Sequence, residues 1–138
     1  MNNNLNRFLK AQATDYPLAL REIQNGYKSS HWIWYIFPQV KGLGYSGMCQ
    51  MYGIVSRQEA EAYLAEPTLN ARLREITQAL LAHKDKSAEQ ILGYTDALKV
   101  KSSMTLFDAI SPNDIYAQVL DIFYSGSRCQ YTLKFLGV

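Results

Sequence analysis

The sequence contains few cysteines and no long apolar run, and each absence excludes a class of protein. Cys49 and Cys129 are the only cysteines, and no CxxC motif or histidine cluster accompanies them, so neither a zinc site nor a disulfide framework is indicated. The longest apolar run, Trp32 to Phe37, is far shorter than the roughly 20 residues that span a bilayer. The first fifteen residues also lack the apolar stretch of a secretory signal. We therefore predict a cytoplasmic protein with no membrane partner, no metal site and no cofactor.

The chain also lacks an excess of charge of either sign. Lysine and arginine number 14 against 12 aspartates and glutamates, and the halves 1–69 and 70–138 each carry a net charge of +1. Nucleic-acid binding usually requires a concentrated basic surface, because neutralisation of phosphates supplies most of the affinity. We therefore predict no nucleic-acid partner.

The residues that are present predict a helical protein. The 138 residues are 48% apolar, which suits one domain with its own core. No strand pair with alternating polarity is recognisable, and helix start and stop signals recur along the chain. We predict an all-α fold, a compact single-domain bundle of about seven or eight short helices over residues 1–138, with the first few residues flexible.

Local patterns place these helices. Ser56 opens a capping-box pattern, in which a serine caps the helix and the third residue after it is Glu or Gln. Residues 87–90 start another short helix. Gly93 is expected to end the short helix that follows Ser87. Further helices are expected around residues 8–12, 17–25, 68–83, 95–110 and 113–124, the last closing on Ser125 and Gly126.

The segment from Thr68 to His83 has the strongest helical period. Its apolar residues recur at spacings of three and four, which predicts one face buried in the core. That face consists of Leu69, Leu73, Ile76 and Leu80. Arg72 and Glu75 are expected to face solvent.

One interval is rich in aromatic residues and has no carboxylate. Between Glu22 and Glu59 lie seven of the 17 aromatic residues, including both tryptophans, together with Lys28 and His31. The run from Trp32 to Phe37 reads equally as a buried helix or a buried strand, because its periodicity is too short to decide. It could form an aromatic core in which His31 is merely hydrogen-bonded. Alternatively, it could form a pocket in which tryptophan faces stack a planar ligand and His31 supplies acid–base chemistry.

A glycine-rich connection follows this interval. After Gln39, residues 42–47 fit GxGxxG literally, but a dinucleotide site also needs a preceding strand and a long following helix. Neither is indicated here. The glycines are expected instead to permit positive φ or close backbone packing.

The segment from Asp96 to Phe107 places polar residues inside an apolar helical face. On a helical wheel, Lys99 and Ser103 fall within the buried arc, and Asp96 lies one turn before the lysine. Lys101, Thr105 and Asp108 fall on the opposite face. A buried ammonium needs a partner, which could be Asp96, Ser103 or a bound anion. The lysine could equally lay its stem on apolar surface with its head in water, and Ser103 could bond to its own helix.

Several of these blocks resemble a known bacterial family, catalogued as domain of unknown function 1810. The matching blocks are residues 30–39 with 42–44, residues 52–54, and Lys99 with residues 102–107; residues 8–12 and 92–93 also match. The resemblance implies a mainly α-helical single domain, which favours a helix for Trp32 to Phe37, and it implies no established activity. Some members carry the label calpastatin, a protease inhibitor that acts through disordered repeats. A domain that is 48% apolar does not have the composition of a disordered repeat protein, so we discount the label.

Two hypotheses of function remain. In the first, the His31 segment and the Lys99 helix face each other and hold a small, planar, anionic molecule of nucleotide type, with or without catalysis. The candidate catalytic residues are His31, Lys99 and Ser103, and the candidate ligand-binding residues are Lys28, Trp32, Trp34, Gln39 and Ser102. In the second, the same blocks form only a core, and the protein is a structural or protein-interaction module.

Overall fold

Nine helices form the described part of the chain, residues 4–138 of the computed structural model. They are α1 (Asn6–Gln24), α2 (Ile33–Ile36), α3 (Gly47–Tyr52), α4 (Arg57–Ala65), α5 (Pro67–Leu81), α6 (Ala88–Leu92), α7 (Tyr94–Ile110), α8 (Ile115–Tyr124) and α9 (Gln130–Leu136). The predicted all-α bundle is confirmed, with slightly more helices than the seven or eight expected. The expectation of a flexible beginning falls on residues 1–3, outside the described residues.

Helix α7 runs through the centre of the bundle. It packs against α4, α6, α8 and α9, and it also contacts α2, while α1 packs against α5 and α2. Within residues 4–138 there is no strand, and backbone pairing of the β type is limited to an isolated parallel bridge between Val40 and Ile54. None of the helices in these residues is long and apolar enough to cross a membrane.

Ser56 and Ser87 begin their helices as expected. At α6 the full capping box forms, because Ser87 accepts from the Gln90 backbone and the Gln90 side chain accepts from the Ser87 N–H. At α4, Ser56 accepts from the Glu59 N–H. The Glu59 carboxylate does not complete that box; it accepts instead from the Val55 N–H at 2.9 Å and pairs with Arg7.

The first helix was expected in two pieces and is continuous. Pro17 lies inside α1, where its missing N–H removes one helical hydrogen bond. The proline is on the exposed side of the helix. Buried residues before it, including Phe8 and Tyr16, and after it, including Ala19 and Ile23, anchor both halves in the same core. Tertiary burial therefore outweighs the local break.

Helix α5 buries the predicted apolar face. Leu69, Leu73, Ile76 and Leu80 are at most 1% exposed, and Glu75 is exposed as expected. Arg72 was expected to face solvent, but it is half-buried: its guanidinium lies 5.5 Å from the centre of the Tyr16 ring and donates to the Gln12 side chain. The long arginine stem lets the charged group cover apolar surface of α1.

The burial of Leu73 leads to a stability prediction. Replacing Leu73 by alanine should lower the free energy of unfolding by about 2 to 5 kcal/mol, because the enclosed side chain leaves a cavity. Gln78 is exposed on the same helix, and its replacement by alanine should change stability by less than about 0.5 kcal/mol. Urea denaturation followed by circular dichroism measures both. A Leu73→Ala loss as small as the control's would contradict the described packing of α5.

Two helices were not predicted, and one of them changes the environment of α7. Helices α3 and α9 have only six and seven residues, too short for a clear apolar period. Thr105, expected on the outer face of α7, is 1% exposed, because the start of α9 covers it and the Cys129 N–H donates to its hydroxyl. Ser125 and Gly126 do end α8, both with positive φ.

Candidate functional site

The segment between α1 and α2 is organised by the buried carboxylate of Glu22, which is 7% exposed. One oxygen accepts from the N–H groups of Ser29 and Ser30, at 2.9 and 3.0 Å, and from the indole N–H of Trp32 at 2.9 Å. The other accepts from the Ser30 hydroxyl at 2.6 Å. This carboxylate therefore fixes the path of the chain from Lys28 to Trp32.

The same contacts set the charge of Glu22. Burial by itself raises the pKa of the carboxyl group, but the hydrogen bonds from Ser30, Ser29 and Trp32 together outweigh burial and lower the pKa to about 2. Glu22 therefore stays ionised throughout the physiological range. Glu22 was not predicted as a structural acceptor, because this role arises only when the following loop folds back onto α1.

Trp32, a candidate ligand-binding residue, lies in the core. Its side chain is 1% exposed, its N–H is bonded to Glu22, and it lines neither of the clefts described below. Trp34, two residues later on the single turn of α2, is half-buried and does border a cleft. The expectation that at least one tryptophan borders a cavity is therefore confirmed for Trp34, while Trp32 belongs to the core.

The first cleft, with a volume of about 350 Å³, brings together residues from three parts of the chain. Lys28 and His31 come from the segment before α2, Trp34 from α2, and Asp96 and Lys99 from α7. Lys99 Nζ lies 5.8 Å from the centre of the Trp34 ring. The structure thus brings the His31 segment and the Lys99 helix to one cleft, as predicted.

The two lysines of the first cleft share one carboxylate. Lys28 Nζ lies 2.5 Å from one oxygen of Asp96, and Lys99 Nζ lies 3.5 Å from the other. Lys28 is nearly enclosed, with 5% of its side chain exposed, and it also donates to the Ser30 carbonyl. The Lys99 side chain is 21% exposed. Among the residues that line the cleft, two cations therefore face one carboxylate, and Lys99 is the cation that a ligand can reach.

A second, larger cleft of about 530 Å³ lies on the other side of Lys99. Gln39 and Ser102, both predicted to bind a ligand, line it together with Lys99. Lys101 and Arg128 add two further cations, and no carboxylate is among the lining residues. Arg128 and Cys129 were not predicted, because they face the cleft only through the unpredicted α9.

Cys129 forms part of the wall of the second cleft. Its sulfur lies 3.3 Å from the Ser102 hydroxyl. Burial raises the pKa of the thiol, but hydrogen bonding to the sulfur, first of all from the Ser102 hydroxyl, outweighs burial and gives a net lowering of the pKa. A half-buried thiol of this kind is suited to report on the occupancy of the cleft.

Ser103, a candidate catalytic residue, lies in the core and outside both clefts. It is 0% exposed and lines neither cleft, as its wheel position within the buried arc of α7 requires. Its hydroxyl has no hydrogen-bond partner among the described residues, so the bond to its own helix, one of the two alternatives, does not form. The neighbouring Ser102 makes that kind of bond instead, to the Leu98 carbonyl at 3.2 Å.

The glycine-rich connection positions Gln39 at the second cleft. Two backbone hydrogen bonds join the segment around Gln39 and Lys41 to Ile54. The Lys41 N–H donates to the Ile54 carbonyl, and the Ile54 N–H donates to the Gln39 carbonyl. Gly42 has a φ of +106°, and a Cβ there would lie 2.1 Å from the Tyr131 hydroxyl oxygen. The prediction that these glycines permit positive φ and close packing is confirmed at Gly42.

Comparison with known proteins identifies relatives without an assigned activity. The family model described as "Protein of unknown function (DUF1810)" matches residues 2–136. The crystal structure of the conserved hypothetical protein Rv1873 from Mycobacterium tuberculosis is similar, with a TM-score of 0.95 and 40% sequence identity, covering 98% of this chain and 97% of that one. No curated protein matches the chain.

Proposed function

The chain belongs to the DUF1810 family, and from the geometry of its first cleft we propose that it binds a small, planar, anionic molecule there. The observation that carries the proposal is the convergence of Lys28, His31, Trp34 and Lys99 on one cleft. These residues come from separate segments, and a cation beside the half-buried indole of Trp34 is suited to a nucleotide-like ligand.

The charge of the cleft favours an anion. Asp96 is the single carboxylate among the lining residues and is shared by two lysines. Lys28 is held in place by Asp96 and the Ser30 carbonyl, and so serves to position the carboxylate and to add positive potential. Lys99 has its closest carboxylate oxygen at 3.5 Å, which leaves its ammonium with donors for a ligand oxygen.

The shape of the cleft favours a planar group. Its volume of about 350 Å³ lies in the usual range for small-molecule sites, roughly 300 to 1,000 Å³. The half-buried Trp34 ring offers an aromatic face for stacking. His31 is exposed at the edge of the cleft, where it can donate or accept a hydrogen bond. Because Ser103 lies outside the cleft, an acid–base step here would rest with His31 and Lys99.

Adenosine monophosphate serves as the test ligand, compared with adenosine and with inorganic phosphate. We expect AMP to raise the melting temperature by several degrees at saturation, since a ligand at 100 times its Kd adds about 2.7 kcal/mol to stability. We also expect it to quench Trp34 fluorescence, while the two partial ligands act weakly. Differential scanning fluorimetry and a fluorescence titration measure the effects, and Trp34→Phe assigns the quenching.

Lys99→Met is the decisive variant. It should fold normally, because Lys99 is partly exposed, and it should lower AMP affinity at least tenfold. Lys84→Met is the matched control, since Lys84 is an exposed residue of the loop after α5 and lines neither cleft. Equal AMP binding by the two variants would contradict the proposed role of Lys99. Absence of binding by the wild-type protein would favour the structural or interaction module.

A further inference from the structure

We infer that the ligand of the first cleft extends past Lys99 into the second cleft, where Lys101 and Arg128 receive a second anionic group. The ligand class is then a planar group that carries two linked anions, as a nucleoside diphosphate does. This inference rests on the proposed function and adds to it a second subsite and two ligand-binding residues.

The two clefts share a wall on one face of α7. Thr95 and Lys99 line both clefts, and Ser102 continues the same helical face into the second. Spacings of four and three residues place these side chains in one row. From Thr95 to Ser102 the helix rises about 10 Å, which is longer than a single phosphate group and suits a ligand of nucleotide size.

The second cleft has the charge that a further anion requires. Lys99, Lys101 and Arg128 line it, and no carboxylate does. Lys101 has no carboxylate within ion-pair distance in the part of the chain that the structure describes. Arg128 is oriented by Asp108 at 3.2 Å and by the Gly126 carbonyl at 2.7 Å. A guanidinium has five N–H donors, so these two contacts leave others for a ligand.

The floor and rim of the second cleft also suit such a group. Leu43 and Leu98 supply apolar surface, and the Gln39 and Ser102 side chains supply polar contacts. Gln39 is held beside the cleft by the backbone bonds around the bridge between Val40 and Ile54. A second anionic group would therefore meet the cations Lys99 and Lys101 on α7 and Arg128 just before α9, together with the neutral polar side chains of Gln39 and Ser102.

Cys129 provides the readout. In a Cys49→Ser variant it is the sole thiol, and its alkylation by iodoacetamide reports directly on the second cleft. A bound anion covers the sulfur and also disfavours the thiolate, so both effects slow the reaction. The rate is measured at fixed pH and ionic strength with saturating AMP, ADP or pyrophosphate.

We expect ADP to slow alkylation at least tenfold, AMP to slow it less than twofold, and ADP to bind at least fivefold more tightly than AMP. Lys101→Met should reduce ADP affinity to that of AMP and leave AMP affinity unchanged. Lys134→Met, an exposed lysine of α9 that lines neither cleft, should retain the preference for ADP. Circular dichroism shows whether each variant is folded.

The outcomes separate this inference from the proposed function. If AMP quenches Trp34 but ADP binds no more tightly and leaves Cys129 reactive, the second subsite is wrong and the proposed function stands. If pyrophosphate or ADP protects Cys129 while neither nucleotide quenches Trp34, the clefts do not serve a common ligand and both ideas are overturned. If neither nucleotide binds, the proposed function fails and this inference fails with it.

Discussion

Replacing Glu22 by alanine is expected to lower the free energy of unfolding by about 3 to 5 kcal/mol. The buried carboxylate accepts hydrogen bonds from Ser29, Ser30 and Trp32. Its removal would leave several donors without a partner, the indole N–H of Trp32 among them, and each such group is costly in a buried site. Urea denaturation followed by circular dichroism measures the loss.

A glutamine at position 22 is the matched control. It preserves shape and one carbonyl acceptor, so Glu22→Gln should cost less than Glu22→Ala. It also removes the titration. Because folding lowers the Glu22 pKa from 4.5 to about 2, the stabilisation by the carboxylate is fully present above pH 4.5 and is lost as the pH falls towards 2. The stability difference between wild type and Glu22→Gln should therefore shrink below pH 4.5. A difference that stays constant from pH 7 to pH 3 would show that the carboxylate is not stabilised by folding.

The second large effect is expected at Phe107, in the centre of a row of aromatic rings. The row consists, in spatial order, of the rings of Phe8, Tyr63, Phe107 and Tyr116. The centres of successive rings are 5.2, 5.3 and 5.9 Å apart, and all four side chains are 0% exposed. They join α1, α4, α7 and α8. Phe107→Ala should cost about 3 to 5 kcal/mol, because it opens a cavity between two rings that cannot close it.

Phe107→Leu provides the comparison, since it retains most of the apolar volume and should cost distinctly less. Equilibrium denaturation in urea measures both variants. A Phe107→Ala loss below about 1 kcal/mol would mean that the rings do not form a packed row. The prediction also concerns the site, because Phe107 anchors the helix that carries Lys99.

Much of the site could be predicted from sequence. The carboxylate-free aromatic interval and the lysine on the apolar face of α7 identified Lys28, His31, Trp34 and Lys99, which the structure brings to one cleft. Residue chemistry was sufficient here, because such polar groups are rare beside buried aromatic surface and need a common partner. The same reasoning could not exclude Ser103. A helical wheel shows that its side chain points to the interior, but it does not show whether packed core or an open cleft lies there.

Helix positions depended on signals that are local to the sequence. The caps at Ser56 and Ser87 and the stop at Ser125 and Gly126 act through neighbouring residues, so they operate before the chain folds. The apolar period of α5 is also visible in the sequence, but it stabilises the helix only when that face is buried. The short helices α3 and α9 were not predicted, because six and seven residues show no clear apolar period. Their formation depends on the core against which they pack.

Only the tertiary structure decided where a side chain points when the local sequence does not distinguish it from its neighbours. Trp32 and Trp34 stand two residues apart, yet Glu22 draws the first into the core by a hydrogen bond, and the second is left at the cleft. The start of α9 likewise buries Thr105 and adds Arg128 and Cys129 to the second cleft. The sequence determined the positions of most helices and which residues carry charge and aromatic surface. Their meeting in two clefts was decided by contacts between distant segments, because burial and hydrogen bonding depend on neighbours in space.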